Sequence, residues 1–278
     1  MRTRNSIKSL LLVFALVCTT ALQAQSGYQN KLKALFQVNT AMSGMDFNQQ
    51  RDSYVKMLQA GGASNEAAQA LCNEYFRTQY MDDLVKVIAP YYQNVMSEAD
   101  IDSMIALFGT PEGIAAMDHI GKASAVMSSP EAQAFMQNSL MGIFQGQQMT
   151  GVGSEACSAV YQQKFEEYYA LFVESNVTSM LSSLEPMFMG MAQTESQKVE
   201  IRKLLNTTTE FLTKNLKVFY LNAFYPDVTE ADLDFYLGMM KTPAGQNMNK
   251  GSVALSKDAM NVGVQMLKEF TAWVEKQQ

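Results

Sequence analysis

Residues 97–113 read SEADIDSMIALFGTPEG, and 132 positions later residues 229–245 read TEADLDFYLGMMKTPAG. Of the 17 paired positions seven are identical and five are close exchanges, with no gap. No other feature restricts the fold as strongly, because each copy dictates where two helices begin and end. Ser97 and Thr229 are N-cap residues, and Asp100 and Asp232 stand three positions on, where a carboxylate can reach back to the cap's own N–H in a variant capping box. Apolar residues then recur at helical spacing, Ile101, Ile105 and Phe108 in the first copy and Leu233, Leu237 and Met240 in the second. Thr110-Pro111 and Thr242-Pro243 supply a second cap with proline at the first helical position. Gly113 and Gly245 follow inside the first turn of the new helix, where glycine costs ~1 kcal/mol against alanine. The same cost at the same place twice predicts another helix packed too close for a Cβ. The motif therefore reads as a tight corner between two helices, and its five paired positions (Ser97/Thr229, Asp100/Asp232, Thr110/Thr242, Pro111/Pro243 and Gly113/Gly245) act on the backbone.

The correspondence extends outward. YMDDLVKVIAPYYQNVM (80–96) lies over LTKNLKVFYLNAFYPDV (212–228), and YQNKLKALFQV (28–38) over YQQKFEEYYALFV (161–173) with a small length difference. Strand signals are nearly absent, with no sustained alternation, no Asn-Gly turn and only six prolines. These patterns predict an all-α fold, a tandem duplication of a roughly five-helix repeat spanning 25–142 and 157–278. Between them, residues 143–156 hold Gly146, Gly151 and Gly153, the composition of a flexible connector. Ser129-Pro130 should end the last helix of the first repeat, whereas Val262 at the matching place should let the final helix of the second run on toward Trp273.

The chain opens like a secretory signal, with Arg2, Arg4 and Lys8, an apolar run from Leu10 to Val17, and ALQAQ as a cleavage region. Such a run is too short to span a bilayer, which takes about 20 residues as a helix. Cleavage is expected after Ala24, with Ala21 as the alternative; Cys18 is a poor lipidation site because Val17 precedes it. Removal of residues 1–24 takes away three positive charges and no negative ones, so the formal net charge moves from −6 to −9. This acidity argues against a nucleic-acid partner. No later segment is apolar enough for a transmembrane span, so the expected location is periplasmic or secreted.

ADLDFYLGMMKTPAGQ (231–246) resembles the most recognisable segment of the bacterial domain of unknown function 2059 family, which shows an aromatic pair, one residue, then Thr/Ser-Pro-x-Gly. Thr242, Pro243, Gly245 and Gln246 match in the second copy, and Thr110, Pro111 and Gly113 in the first. The chain departs at the aromatic pair, where Met239-Met240 and Leu107-Phe108 stand. The resemblance implies exported, helical proteins and most of the mature chain as two tandem copies. It implies no activity, cofactor or catalytic residue.

Residues that carry chemistry are few. His119 is the one histidine, which excludes an HExxH zinc site, and no CxxC, GxGxxG or GxxxxGK[ST] string occurs. Glu98/Asp102 and Glu230/Asp234 are four apart and share helix faces, a spacing that would suit a cation or an acid–base pair but also suits the positive end of a helix dipole. They are the only reactive groups that repeat. Cys72 and Cys157 leave a disulfide open in an exported chain. The 21 methionines, with MFMGM at 187–191, suit core packing first, then an adaptable groove for peptide or lipid, and least a Cu(I) site. The sequence thus points to no catalytic, metal or cofactor-binding residue. It favours a non-enzymatic interaction or envelope-maintenance module with a protein, peptide or lipid partner. A carrier or chaperone-like binder with a Met- and aromatic-lined groove is the alternative.

Overall fold

The chain is known here from a computed structural model, which describes residues 27–38, 47–127 and 157–277 and three isolated positions, 129, 134 and 138. The proposed signal, the connector 143–156 and Pro130 lie outside the described residues. Among the described residues the protein is all-α, with no strand. Six helices can be traced in the described residues before the connector: α1 (27–38), α2 (Asn48–Ala60), α3 (Asn65–Thr78), α4 (Tyr80–Gln93), α5 (Glu98–Phe108) and α6 (Pro111–Met127), and Ala134 and Asn138 are also helical. Six follow it: α7 (Ala159–Tyr169), α8 (Ser175–Met191), α9 (Glu195–Phe224), α10 (Glu230–Lys241), α11 (Pro243–Lys257) and α12 (Ala259–Glu275), with a single π turn (Ala170–Glu174) joining α7 to α8. Among the described residues each half thus shows at least six helices where the sequence suggests about five.

Both corners form. Ser97 Oγ accepts the Asp100 N–H at 3.2 Å while Asp100 Oδ2 accepts the Ser97 N–H at 2.8 Å; Thr229 and Asp232 repeat the exchange at 3.2 and 2.7 Å. At the second turn of each corner the threonine hydroxyl serves both helices. Thr110 Oγ1 donates to the Leu107 carbonyl (2.8 Å) and accepts from Gly113 N–H (3.1 Å), and Thr242 Oγ1 does the same with Met239 (2.6 Å) and Gly245 (3.0 Å). The glycines are needed for a nearer reason than a distant helix. A Cβ at Gly113 would lie 2.9 Å from Phe108 Cα, and one at Gly245 2.8 Å from the Met239 carbonyl carbon. What crowds them is the last turn of the preceding helix, α5 or α10, folded back across the corner.

The second helix of each corner packs into the opposite half. α6 lies against α9 and α10, while α11 lies against α4, α5 and α8. The main core is accordingly shared: Leu32, Ile88, Ile101 and Phe108 from the first half are buried in one cluster with Phe165, Phe224, Leu233 and Met239 from the second. A second cluster forms where α12 covers α3 and α4, with Met266, Phe270 and Val274 against Ala68, Cys72, Tyr75 and Tyr80. The described parts of the two halves interlock around the main core.

Two helix breaks are not predicted by the motif. α3 and α4 part at Gln79 (φ −125°, ψ −32°), where the matching stretch of the second half is the unbroken α9. The break is anchored by Asp83, which is buried and accepts Tyr75 Oη at 3.0 Å and Gln79 Nε2 at 2.9 Å. The chain does stay helical through Val262 and past Trp273, but a break at Asp258 (φ −116°, ψ 21°) divides that run into α11 and α12. Tyr91 of α4 donates to the Asp258 carboxylate, fixing the break against the first half. α6 ends at Met127, ahead of Ser129.

Candidate functional site

The repeating carboxylates each find a lysine from the first helix of their own half. Lys31 Nζ on α1 stands 2.6 Å from Asp102 and 3.3 Å from Glu98; Lys164 Nζ on α7 stands 2.7 Å from Asp234 and 3.7 Å from Glu230. Hydrogen bonding to Asp102 raises the Lys31 pKa above its ordinary value, and Asp234 acts likewise on Lys164, so both ammonium groups are held charged. The first helix of each half carries a further ion pair to a different helix, with the signs exchanged: Lys33 with Asp82 between α1 and α4, Glu166 with Lys217 between α7 and α9. Three residues before each clamp lysine stands a tyrosine, Tyr28 or Tyr161, whose hydroxyl is buried without a hydrogen-bond partner. Burial first, then Tyr92, Asp100 and Glu98, pushes Tyr28 up to about 12; burial likewise raises Tyr161. Both phenols stay protonated, and neither can serve as a base at neutral pH.

The third acid of each motif binds across the interlock. Asp232 is buried, and its Oδ2 faces His119 Nδ1 of α6 at 2.8 Å as well as Thr229 N and Oγ1. Asp100 Oδ2 accepts Asn247 Nδ2 of α11 at 3.3 Å. The Ser97 backbone N–H, the Ser97 hydroxyl and Asn247 hold the Asp100 carboxyl below the usual carboxylate range. His119 is thus a half-buried partner of an N-cap network. At the position matching His119, Gly251 admits the Tyr92 ring, into which a Cβ would run.

Chemically, this arrangement can neutralise charge and fix helices. Each carboxylate pair already holds a cation, and among the described residues no group of three or more His, Cys, Asp or Glu could hold a metal ion. Sequence reasoning missed the clamp lysines, although Tyr-Gln-x-Lys at 28–31 and 161–164 was their visible signal. Cys72 and Cys157 form no disulfide with each other and pack in different clusters; burial pushes Cys72 up to about 11. Met104, Met117, Met239, Met240 and Met266 are buried core residues, while the side chains of Met187 and Met191 lie outside the described residues.

One cleft among the described residues lies where α7 and the π turn meet α10 and α11, with Glu167 at its edge. Leu171, Leu237 and Met240 form its floor and Lys241 and Lys250 its rim, around an open volume of about 420 Å³. Among the described residues no helix is long and apolar enough to cross a membrane. No family model, no curated protein and no solved structure matches the chain.

Proposed function

We propose that this chain is an exported, non-enzymatic interaction module of the bacterial envelope, in keeping with its resemblance to the domain of unknown function 2059 family. One observation carries the reading: the recurring carboxylate pairs of α5 and α10 are tied to Lys31 and Lys164 of their own halves. A pair of acids already bridged by a lysine is poorly placed to share a proton with a substrate or to ligate a cation. Export rests on the basic start, the short apolar run and the Ala24-Gln25 junction. The test has two arms. N-terminal sequencing of the envelope protein should begin at or near Gln25; an intact Met1 end or a lipidated Cys18 overturns export. Replacing Glu98, Asp102, Glu230 and Asp234 together by Gln or Asn should leave the bound mass seen in native mass spectrometry unchanged. A folded variant that loses a cation or an activity overturns the non-enzymatic reading.

The alternative is a carrier, and the cleft over Leu171, Leu237 and Met240 favours it, since Lys241 and Lys250 would suit the head of an anionic amphiphile. Its wall includes a π turn, a feature frequent at functional sites. An extra mass in the wild type that disappears with Met240→Glu would move the proposal to this reading.

A further inference from the structure

Two tyrosines at matching places carry a polar group that the fold buries and does not pair. Tyr28 of α1 is 7 % exposed and Tyr161 of α7 is 3 %, and neither hydroxyl has a hydrogen-bond partner among the described residues. A buried hydroxyl without a bond is costly, and nearly all such groups in proteins are bonded to protein or to ordered water. Phenylalanine would fill the same space without that cost, so a tyrosine at both places points to a partner. The surroundings say which. Burial raises both phenols first; Tyr92, Asp100 and Glu98 then add to it at Tyr28, and Cys157, Asp232, Tyr225 and Glu230 at Tyr161. The N-cap acid of the half's own corner is therefore near each hydroxyl. Both acids are bonded in the same lopsided way. Asp100 Oδ2 accepts the Ser97 N–H (2.8 Å), the Ser97 hydroxyl (2.9 Å) and Asn247 Nδ2 (3.3 Å). Asp232 Oδ2 accepts the Thr229 N–H and hydroxyl (both 2.7 Å) and faces His119 Nδ1 (2.8 Å). In each acid Oδ1 is the oxygen that remains for another donor, because an ionised carboxylate accepts at about four sites.

We propose that each half binds one internal water between its tyrosine hydroxyl and Oδ1 of its N-cap aspartate, Tyr28 with Asp100 and Tyr161 with Asp232. The phenol donates to the water, and the water donates to the carboxylate. In the first half the Tyr92 hydroxyl, which shares a hydrogen bond with Ser252 Oγ at 3.1 Å, supplies a third partner, about the usual number for an internal water. Other occupants fit less well. Neighbouring carboxylates repel an anion, and an apolar ligand would leave the phenol unpaired. Glu98 and Asp102 are already taken by Lys31, and Glu230 and Asp234 by Lys164. Among the described residues no group of three or more His, Cys, Asp or Glu could hold a metal ion. The two waters also give the recurring Tyr-Gln-x-Lys a reason to carry tyrosine. Its lysine clamps the outer acids of the corner, and its tyrosine, one turn earlier, reaches the inner acid through water. Each first helix is thus tied to its corner at the same acid that touches the opposite half.

High-resolution crystal structures of the wild type, Tyr28→Phe and Tyr161→Phe are the test. Wild-type density should show one water within about 3.2 Å of each tyrosine hydroxyl and of the matching aspartate Oδ1. Each variant should lose its own water and keep the other. Thermal melting gives a second readout, in which the two cases have opposite signs. Where the hydroxyl donates to a bound water, its removal loses that bond, and the melting temperature should fall by about 2–4 °C, the shift an ordinary hydrogen bond gives at this chain length. Where the hydroxyl is unpaired in solution, its removal relieves a desolvation penalty, and the melting temperature should rise. Both variants keep the aromatic ring, so circular dichroism should show them folded as the parent. Wild-type density without water at either tyrosine, or with water at only one, overturns the proposal. So does a hydroxyl in direct contact with a carboxylate, a peak with the short distances of a metal cation, or a variant that melts at or above the wild type. The inference stands independently of whether the chain is an interaction module or a carrier.

Discussion

The corner at 97–113 and the corner at 229–245 share caps, proline and glycine, yet they meet different neighbours. Asp100 is half exposed and takes a side-chain amide, Asn247, from the other half; Asp232 is buried and takes an imidazole, His119. The matching positions of these partners are Ala115 and Gly251, so neither contact has a twin. What is common to the two corners acts on backbone, and what differs acts across the interlock. The local structure of the two corners is alike, while the contacts that lock one half onto the other differ.

The glycines offer the largest break in this comparison. Gly245→Leu and Gly113→Leu both drive a Cβ into backbone of the preceding helix, where no rotamer change gives relief. Each should lower stability by about 1–3 kcal/mol through overpacking, beyond any change in helix propensity. Gly245 should cost more, because its nearest backbone neighbour is closer than that of Gly113. Urea unfolding of the two variants measures this directly. A Gly245→Leu protein as stable as the parent would mean the corner can open and the close approach is incidental.

Next come the two network acids. Asp232→Ala removes the buried carboxylate that accepts the Thr229 N–H and hydroxyl and faces the half-buried His119, for an expected loss of about 1–3 kcal/mol. Asp100→Ala removes the same cap where water can substitute, with a loss of about 0.5–1 kcal/mol. His119→Ala should reproduce part of the Asp232 effect and none of the Asp100 effect. Equal losses at both acids would show that the cross-half partners contribute nothing and that the corners differ only in exposure.

Much of this was legible before any coordinates. The caps, the corner prolines and the glycines follow from rules that act within one or two turns of chain, so a single sequence exposes them. The interlock was not legible, because apolar spacing on α6 and α11 says that a face is buried and is silent on which helix covers it. Exposure shows the same limit. Ala68, Cys72 and Tyr75 of α3 are buried beneath α12, whereas the matching Glu200, Leu204 and Thr207 of α9 lie at the surface. The covering residues Met266 and Phe270 correspond to Ala134 and Asn138, which are exposed. That contrast is written in the sequence, but only the long-range pairing of α12 with α3 gives it meaning. The break at Gln79 escaped notice because a buried Asp83 anchors it, and its partners are fixed only once the turn exists.

Acid sharpens the comparison further. The Asp100 carboxyl titrates below its ordinary 3.8 because its ionised form accepts the Ser97 N–H, the Ser97 hydroxyl and Asn247. A folded pKa under the unfolded one means the stabilisation is fully present above the unfolded value and is lost as pH falls through the folded value. Melting temperature should therefore fall between about pH 5 and pH 2, and Asp100→Asn should flatten part of that acid limb while leaving the neutral-pH side parallel to the wild type. An acid limb unchanged in Asp100→Asn would assign the loss to other carboxylates.

The smallest effect should come from the clamps, and there the two halves ought to behave alike. Lys31 and Lys164 are each bound by two carboxylates, but the groups are solvent-accessible, with Glu98 at 48 % and Glu230 at 42 % side-chain exposure. Water and salt screen such pairs, and holding long side chains in one geometry offsets much of the attraction. Lys31→Met and Lys164→Met should each lower the melting temperature only slightly at low ionic strength, by similar amounts, and not at all in about 1 M salt, where the screening length falls to roughly 3 Å. The methionine stem keeps the apolar packing of the lysine chain, so the difference isolates charge. A large, salt-resistant loss at one lysine and not the other would reveal a clamp with a role beyond pinning α1 to α5 or α7 to α10. It would make that half's carboxylates the first place to look for a bound ligand.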